Sequence, residues 1–368
     1  MKLLVVSSAP FIYKGDTIHA YGPYLKEMKL WAKYSDSISF CCPVWKNENG
    51  LLTDELKFNV EKHYRLIDFD LTSIPSTIKA FFASVYNFAI IFYAMFSADH
   101  IHLRCPGNVG LLGCIAQLFF PFKMKTAKYA GNWKGTHSMT YSLQKKILSS
   151  SLSRNIKVLV YGEWPDQSKN IKPFFTASYS EAEKVRIDKP SFQNGISFLF
   201  AGMLVNGKKP MYALELIKSL RDLGHDVNLS FYGEGSERSV LQAFIKENNL
   251  GSSVILKGNQ PSEVLKSAYK NSHFVLLPSQ SEGWPKVIAE GMFWGCVPIV
   301  TPVSCVPFML DHGNRGILLT QNLSGDIAQI ESFLNHRGQF DSVSAEAASW
   351  SQQFTVERFE SEIKKLLA

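Results

Sequence analysis

The 368-residue chain has little of what builds a metal centre or a disulfide framework. Its nine histidines show no metal-ligand spacing. Its six cysteines (Cys41, Cys42, Cys105, Cys114, Cys296 and Cys305) form no C-x-x-C pair and lie mostly in apolar stretches. They read as buried thiols of a reducing compartment. No short-period repeat or low-complexity tract occurs, which excludes solenoids and disordered arrays. The apolar run after Lys2 extends only from Leu3 to Val6. That is too short for a signal-peptide core, so a first β-strand and a cytoplasmic location are expected. Acidic residues are missing altogether between positions 100 and 162.

What remains is ordinary globular composition: 46% hydrophobic and 19% charged residues. The length suits two domains of roughly 100–200 residues each. One stretch, "IKAFFASVYNFAIIFYAMFSA" (78–98), is nearly continuous in apolar residues over about the length that spans a bilayer. Ser84, Tyr86, Asn87, Tyr93 and Ser97 recur through it, and "DHIHLR" follows at once like a buried strand. We expect a helix packed on a sheet with one greasy face outward, not a membrane span.

From residue 196 the pattern is regular. "ISFLFAG", "VNLSFYG", "SVILKG", "HFVLLPS", "VPIVTP" and "GILL" read as strands, with helical stretches such as "PMYALELIKSLRDLG" between them. The first half repeats the theme in "KLLVVSS", "SISFCCP", "HIHLR", "KTAKYAG" and "KVLVYG". Strand and helix alternating at this rhythm give parallel sheets covered by helices on both faces, so the fold class is α/β with two doubly wound, Rossmann-like domains. "IDKPSFQNG" (187–195) punctuates the chain between them. The expected division is 1–190, 191–350 and a terminal helix within 351–368.

Ligands of open parallel sheets bind beyond the carboxyl ends of the strands. In the second half those ends lead into "MLVNGKK" after Gly202, "EGS" after Gly233, "NQ" at Asn259, and "QSEGWPK". In "SEGWPKVIAEGMFWGCVPIV" (281–300), Pro285 suits the first turn of a helix. Free amides around Gly283, Trp284, Lys286 and Val287 would then face a phosphate or diphosphate, with Lys286 adding charge. A carboxylate can only accept hydrogen bonds, so Glu282 beside that anion suits sugar hydroxyls and Glu290, farther into the helix, a ribose diol. A helix cap plus a salt-bridged glutamate fits the same spacing.

This stretch resembles the E-x7-E signature of retaining glycosyltransferases of GT-B architecture and the family 4 type. "FLFAGMLVNGKKPMYALELIKSLRDLGHDVNLSFYGEGSE" and "VILKGNQPSEVLKSAYKNSHFVLLPS" are similar to the same family's donor-binding domain, over roughly residues 196–320. The resemblance implies two Rossmann-like domains around a cleft, the last helix crossing back onto the first domain, and no metal or other cofactor. It gives Glu282 to the transferred sugar, Glu290 to the ribose, and Lys208 to the diphosphate of a UDP- or GDP-type donor. Where the family usually has an arginine, this chain has Met203; Lys209 or Lys286 is left to compensate. By analogy Gly15, in "PFIYKGDTIHAYG", would face the diphosphate from the first domain, although a plain turn explains it equally. Asn132 stands about where relatives carry a histidine near the reacting carbon, with His137 farther on. Arg104, ending a strand, is a candidate for an anionic acceptor or for an ordinary salt bridge.

Other leads fail. Asp68–Asp70 forms a D-x-D in an unremarkable polar stretch, and "GEGS" does not complete G-x-G-x-x-G because position 238 is Arg. The expected activity is sugar transfer to a glycan or lipid-linked acceptor in surface polysaccharide or glycoconjugate synthesis. A GT-B-like nucleotide-sugar epimerase and a non-catalytic sugar-binding protein are the alternatives. Residues 1–190 carry 24 Lys and Arg against 15 Asp and Glu, net +9. With "GLLGCIAQLFFPFKMK" beside Lys123, Lys125 and Lys128, this half is expected to meet an anionic membrane surface. No nucleic-acid motif accompanies the charge.

Overall fold

The computed structural model describes residues 1–69, 74–135, 138–164 and 168–368. Asp70 and His137 therefore lie outside the described residues. The chain divides into two compact units, Met1–Phe174 with Glu360–Ala368, and Phe175–Phe359. The division falls before the Pro190–Gly195 punctuation, because segment 175–195 packs with the second unit. Lys189 shows how: its ammonium donates to the carbonyls of Tyr269 and Ser272, at 2.7 and 2.6 Å.

The first unit is built on a ten-stranded sheet. Its strands are β1 (Lys2–Val6), β2 (Phe11–Lys14), β3 (Thr17–Tyr21), β4 (Ser37–Trp45), β5 (Thr53–Glu55), β6 (Lys62–Leu66), β7 (His100–Cys105), β8 (Met124–Tyr129), β9 (Ile156–Tyr161) and β10 (Ile171–Phe174). β6, β4, β1, β7, β8, β9 and β10 pair in that order, all parallel. The β2–β3 hairpin and β5 extend the sheet beyond the end of β4. Helices α1 (Gly22–Lys33), α2 (Ile74–Ser97), α3 (Asn108–Ala116) and α4 (Met139–Ser149) complete the unit. Parallel strands are buried on both faces, which is why β1 and β9 read as nearly continuous apolar runs. Val6, Leu103, Ala127 and Val160 meet Ile91 and Met95 of α2 and Val109 of α3 in one core.

The 78–98 stretch is a helix lying on this sheet. Asn87, fully buried in its middle, accepts from the amide of Ile67 and donates to its carbonyl, both at 2.8 Å.

The basic stretch at 123–128 is not a surface patch, contrary to expectation. Side chains on β8 alternate between the faces of a sheet covered on both sides, so Lys125 and Lys128 are each 1% exposed. Lys125 donates to the carbonyls of Gln117 and Phe120, at 3.1 and 3.0 Å. Lys128 lies 2.9 Å from Glu27 of α1, whose other oxygen takes Arg104 at 2.5 Å. Burial pushes the Glu27 carboxyl up, but Arg104 and then Lys128 outweigh it and hold the pKa at about 2.

The second unit carries a six-stranded, wholly parallel sheet. Its strands are β11 (Ile196–Ala201), β12 (Val227–Tyr232), β13 (Val254–Leu256), β14 (Phe274–Leu277), β15 (Val297–Val300) and β16 (Ile317–Leu318). They lie in the order β13-β12-β11-β14-β15-β16. The helices are α5 (Pro210–Asp222), α6 (Arg238–Glu247), α7 (Ser262–Asn271), α8 (Lys286–Phe293), α9 (Val306–Met309), α10 (Leu323–Asn335) and α11 (Arg337–Ser351). The last helix, α12 (Val356–Leu367), groups with the first unit from Glu360 onward. There Glu360 accepts from Lys33 at 2.5 Å and from the hydroxyl of Tyr34 at 2.6 Å.

Glu27→Gln leaves two buried cations without their carboxylate and should cost roughly 3–5 kcal/mol in denaturant unfolding. Because the folded pKa of Glu27 is depressed, its contribution is complete above the ordinary carboxylate range. It is lost as pH falls toward about 2, so the variant should also lose part of the acid limb of the stability profile. Unchanged stability at neutral pH would show that Arg104 and Lys128 do not depend on Glu27.

Candidate active site

Strand order reverses between β11 and β14: the chain winds outward from β11 through β12 to β13, then returns to β14 on the other side. The loops leaving these two neighbours diverge, and a crevice forms at such a switch point. Lys208, from the β11 loop, and Glu282, from the β14 loop, meet there at 2.5 Å. A backbone bond from the amide of Gln280 to the carbonyl of Gly207, 2.9 Å, ties the two loops together. Glu282 is 9% and Lys208 24% exposed, so the pair is sheltered yet reachable.

Glycines let the neighbouring loops close up. A Cβ on Gly233 would stand 1.9 Å from the carbonyl oxygen of Gly202, and one on Gly235 2.3 Å from that of Leu204. The "GEG" sequence is thus explained by backbone approach rather than by a dinucleotide. Gly202 itself, at φ +146, has only a Phe200 ring atom within 4.0 Å of its missing Cβ. Open space remains above the end of β11.

Helix α8 starts at Lys286 with Pro285 as its N-cap, just before the first turn rather than within it as expected. The carbonyl of Pro285 receives the amides of Ile288 and Ala289, while those of Lys286 and Val287 fall in the first turn. Trp284 contributes no side chain here. Its ring is buried against Trp350 and Phe354, at centroid distances of 6.1 and 5.7 Å, and so anchors the turn to α11. Beneath the turn, the Cys305 thiol donates to the carbonyl of Gly283 at 3.2 Å. Burial above all, with the Glu282 charge adding, pushes that thiol up to about 12, so it is no nucleophile at neutral pH.

Glu290, one turn into α8, is held on both oxygens. Ser178 donates to one at 2.7 Å and the Tyr269 hydroxyl to the other at 3.3 Å, with the Lys286 ammonium 3.8 Å away. Burial, then the Glu290 charge, raises the Tyr269 pKa well above its ordinary value, so the hydroxyl stays a donor. The sequence carried no signal for Ser178 or Tyr269, which lie 112 and 21 residues from Glu290.

The other candidates fall in different places. Met203 is 63% exposed at the end of β11, and Lys209 donates to Gln321 on another loop. Asn259 is exposed beyond β13. In the first unit, Arg104 is committed to Glu27. Asn132 accepts from the amides of Lys134 and Gly135, at 3.1 and 3.0 Å, folding its own loop. Gly15 lies in the β2–β3 turn with φ +58, where a turn needs a left-handed residue. Among the described residues no group of three or more His, Cys, Asp or Glu is placed to hold a metal ion.

Residues 181–350, nearly all of the second unit, match the family described as "Glycosyl transferases group 1". An uncharacterized glycosyltransferase of Methanocaldococcus jannaschii is 25% identical over 167 residues, 45% of this chain and 47% of that protein. The chain thus spans about half the length of this relative. Among solved structures, the apo lipopolysaccharide outer core galactosyltransferase WaaB superposes with a TM-score of 0.71 at 15% identity, covering 100% of this chain and 99% of that one. Anabaena Alr3699/HepE in complex with UDP and glucose gives 0.67 at 14% identity, covering 99% and 98%. The fold is GT-B.

Gly233→Ala forces a side chain into the Gly202 carbonyl and should cost about 1–3 kcal/mol by overpacking alone. A drop in Tm is expected. An unaltered Tm would mean that the two loops separate freely and that their contact does not shape the crevice.

Proposed function

We propose that this chain, whose second unit matches a glycosyltransferase family, is a retaining glycosyltransferase of the family 4 type. Its donor is a nucleotide-diphosphate sugar of UDP or GDP type, and its acceptor a glycan or lipid-linked glycan of surface polysaccharide or glycoconjugate synthesis. The observation that carries the reading is the Lys208–Glu282 pair at the switch point, followed in the chain by Glu290, one turn into α8 and held on both oxygens. The UDP and glucose in the Alr3699/HepE structure support a donor of this class.

The roles follow from charge and donor inventory. The diphosphate lies against the amides of Lys286 and Val287, and Lys208 leaves Glu282 to meet it. Glu282, released, accepts from a hydroxyl of the sugar being moved. Glu290, oriented by Ser178 and Tyr269, accepts from the ribose hydroxyls. As the bond between sugar and phosphate breaks, its electron pair goes to the diphosphate oxygen. Fixed amide dipoles and the ammonium stabilise that growing charge without a metal. The acceptor hydroxyl attacks from the same face, and its proton passes to the departing phosphate. With Met203 at the usual arginine position, Lys208 is the principal cation on the leaving group.

A thermal-shift panel of UDP, GDP, ADP and CMP should single out one base; about 100 times the dissociation constant stabilises by roughly 2.7 kcal/mol. Glu290→Ala should weaken that nucleotide by roughly 1.5–3 kcal/mol. Glu282→Ala should abolish most transfer with binding nearly kept, and Lys208→Ala should lower the chemical rate more than nucleoside affinity. Wild-type turnover in both glutamate variants would overturn the assignment.

A further inference from the structure

Helix α2 is amphipathic in an unusual sense. Its inward side is largely alanine (Ala80, Ala83, Ala94) with Asn87, Ile91 and Met95, Phe88 and Phe92 are half-buried against the core, and its other large aromatic side chains point away from the sheet. Phe81, Phe82, Val85, Tyr86, Tyr93 and Phe96 are each between 47% and 69% exposed. No Asp, Glu, Lys or Arg occurs from Ala80 to Ser97. At the C-terminal end the face continues onto the turn before β8. There the Phe92 ring meets Phe96 and Phe119 at 5.3 and 5.6 Å, and Phe119 and Phe122 are 63% and 88% exposed. From Phe81 to Phe96 the exposed apolar face runs along the helix for about 24 Å. A patch of this extent on one surface marks an interaction site.

We propose that the outer face of α2, together with the Phe119–Phe122 turn, lies in the interfacial layer of an anionic lipid membrane and holds the protein there. Charge selects this occupant. The unit that carries the face has 23 Lys and Arg against 14 Asp and Glu, net +9, so an anionic bilayer attracts it whereas a second copy repels it. Basic groups border the aromatic face. Lys62 sits 4.7 Å over Tyr64 and 6.0 Å over Tyr93, and shares with Lys2 an open groove of about 360 Å³ beside the helix. Lys123 reaches the carbonyls of Phe96 and Ala98 at the helix end, at 2.7 and 2.5 Å. Two acidic residues stand at the same end: Glu61 lines the groove, and Asp99 accepts from the Lys2 amide at 2.7 Å. Because α2 is pinned to the sheet through Asn87, Ile91 and Met95, it lies in the plane of the membrane rather than across it. Membrane attachment in this form is independent of the sugar-transfer reading, since it uses none of the residues at the switch point.

The test is co-sedimentation of the full chain with vesicles of phosphatidylcholine alone and of phosphatidylcholine with phosphatidylglycerol, at low and high salt. Wild type should sediment with the anionic vesicles, and a large part should stay bound at high salt because apolar insertion carries it. Phe82→Ser/Val85→Ser/Phe122→Ser should lower partitioning by about tenfold or more while Tm stays unchanged. If the triple variant is unstable, Phe122→Ser alone, in an exposed turn, makes the same comparison with a smaller loss. Lys62→Glu should weaken binding to the anionic vesicles only. Absence of wild-type binding, or equal binding by the apolar variants, overturns the proposal. So does resistance to alkaline carbonate, which would mean a spanning helix. A shift from dimer to monomer in the triple variant without any vesicle binding would assign the face to a second copy instead.

Discussion

Because all six strands of the second unit run the same way, every strand ends at one edge and the chain must cross a face to begin the next. That constraint gathers the loops after β11, β12, β13 and β14 on one side of the sheet. The reversal between β11 and β14 then separates two of those loops, and into the gap they bring Lys208 and Glu282. The rest of the site is support for this meeting. Gly233 and Gly235 let the β12 loop press against the β11 loop, and Trp284 pins the turn of α8 to α11.

Under the proposed function, Lys208 and Glu282 are more than a structural contact, since each is the group that the other's ligand displaces. A partly sheltered ion pair that exchanges for a diphosphate on one side and a sugar hydroxyl on the other keeps both charges satisfied before and after binding. That arrangement avoids leaving either charge buried alone, which would be costly. Glu290 differs. Its two oxygens are each taken by a neutral hydroxyl, so it is fixed in direction without a competing tight ion pair.

The inner strands were legible: β1, β4, β7, β8 and β9 in the first unit, and all six strands of the second, fall where sequence patterning puts them. β2, β3, β5, β6 and β10 were not legible. They are short, and "TDE" or "KHYRL" has no apolar run because one side meets solvent. The lysines of β8 mislead for a different reason. Nothing local distinguishes a solvated lysine from Lys128, whose carboxylate partner is 101 residues away. Glu282 and Glu290 could be singled out because turn chemistry and the polarity of a helix end limit what they can bind, and Lys208 through the family resemblance alone. Ser178 and Tyr269 could not, since their relation to Glu290 exists only once the chain has folded.

The central claim is that the end of β11 and the start of α8 together receive a nucleoside diphosphate. Amide hydrogen exchange with and without the nucleotide addresses it without requiring an acceptor. The account predicts new protection confined to residues 202–209 and 282–290, where loop amides and the first turn of α8 meet the ligand. Protection elsewhere, or none with any of the common nucleoside diphosphates, would contradict it.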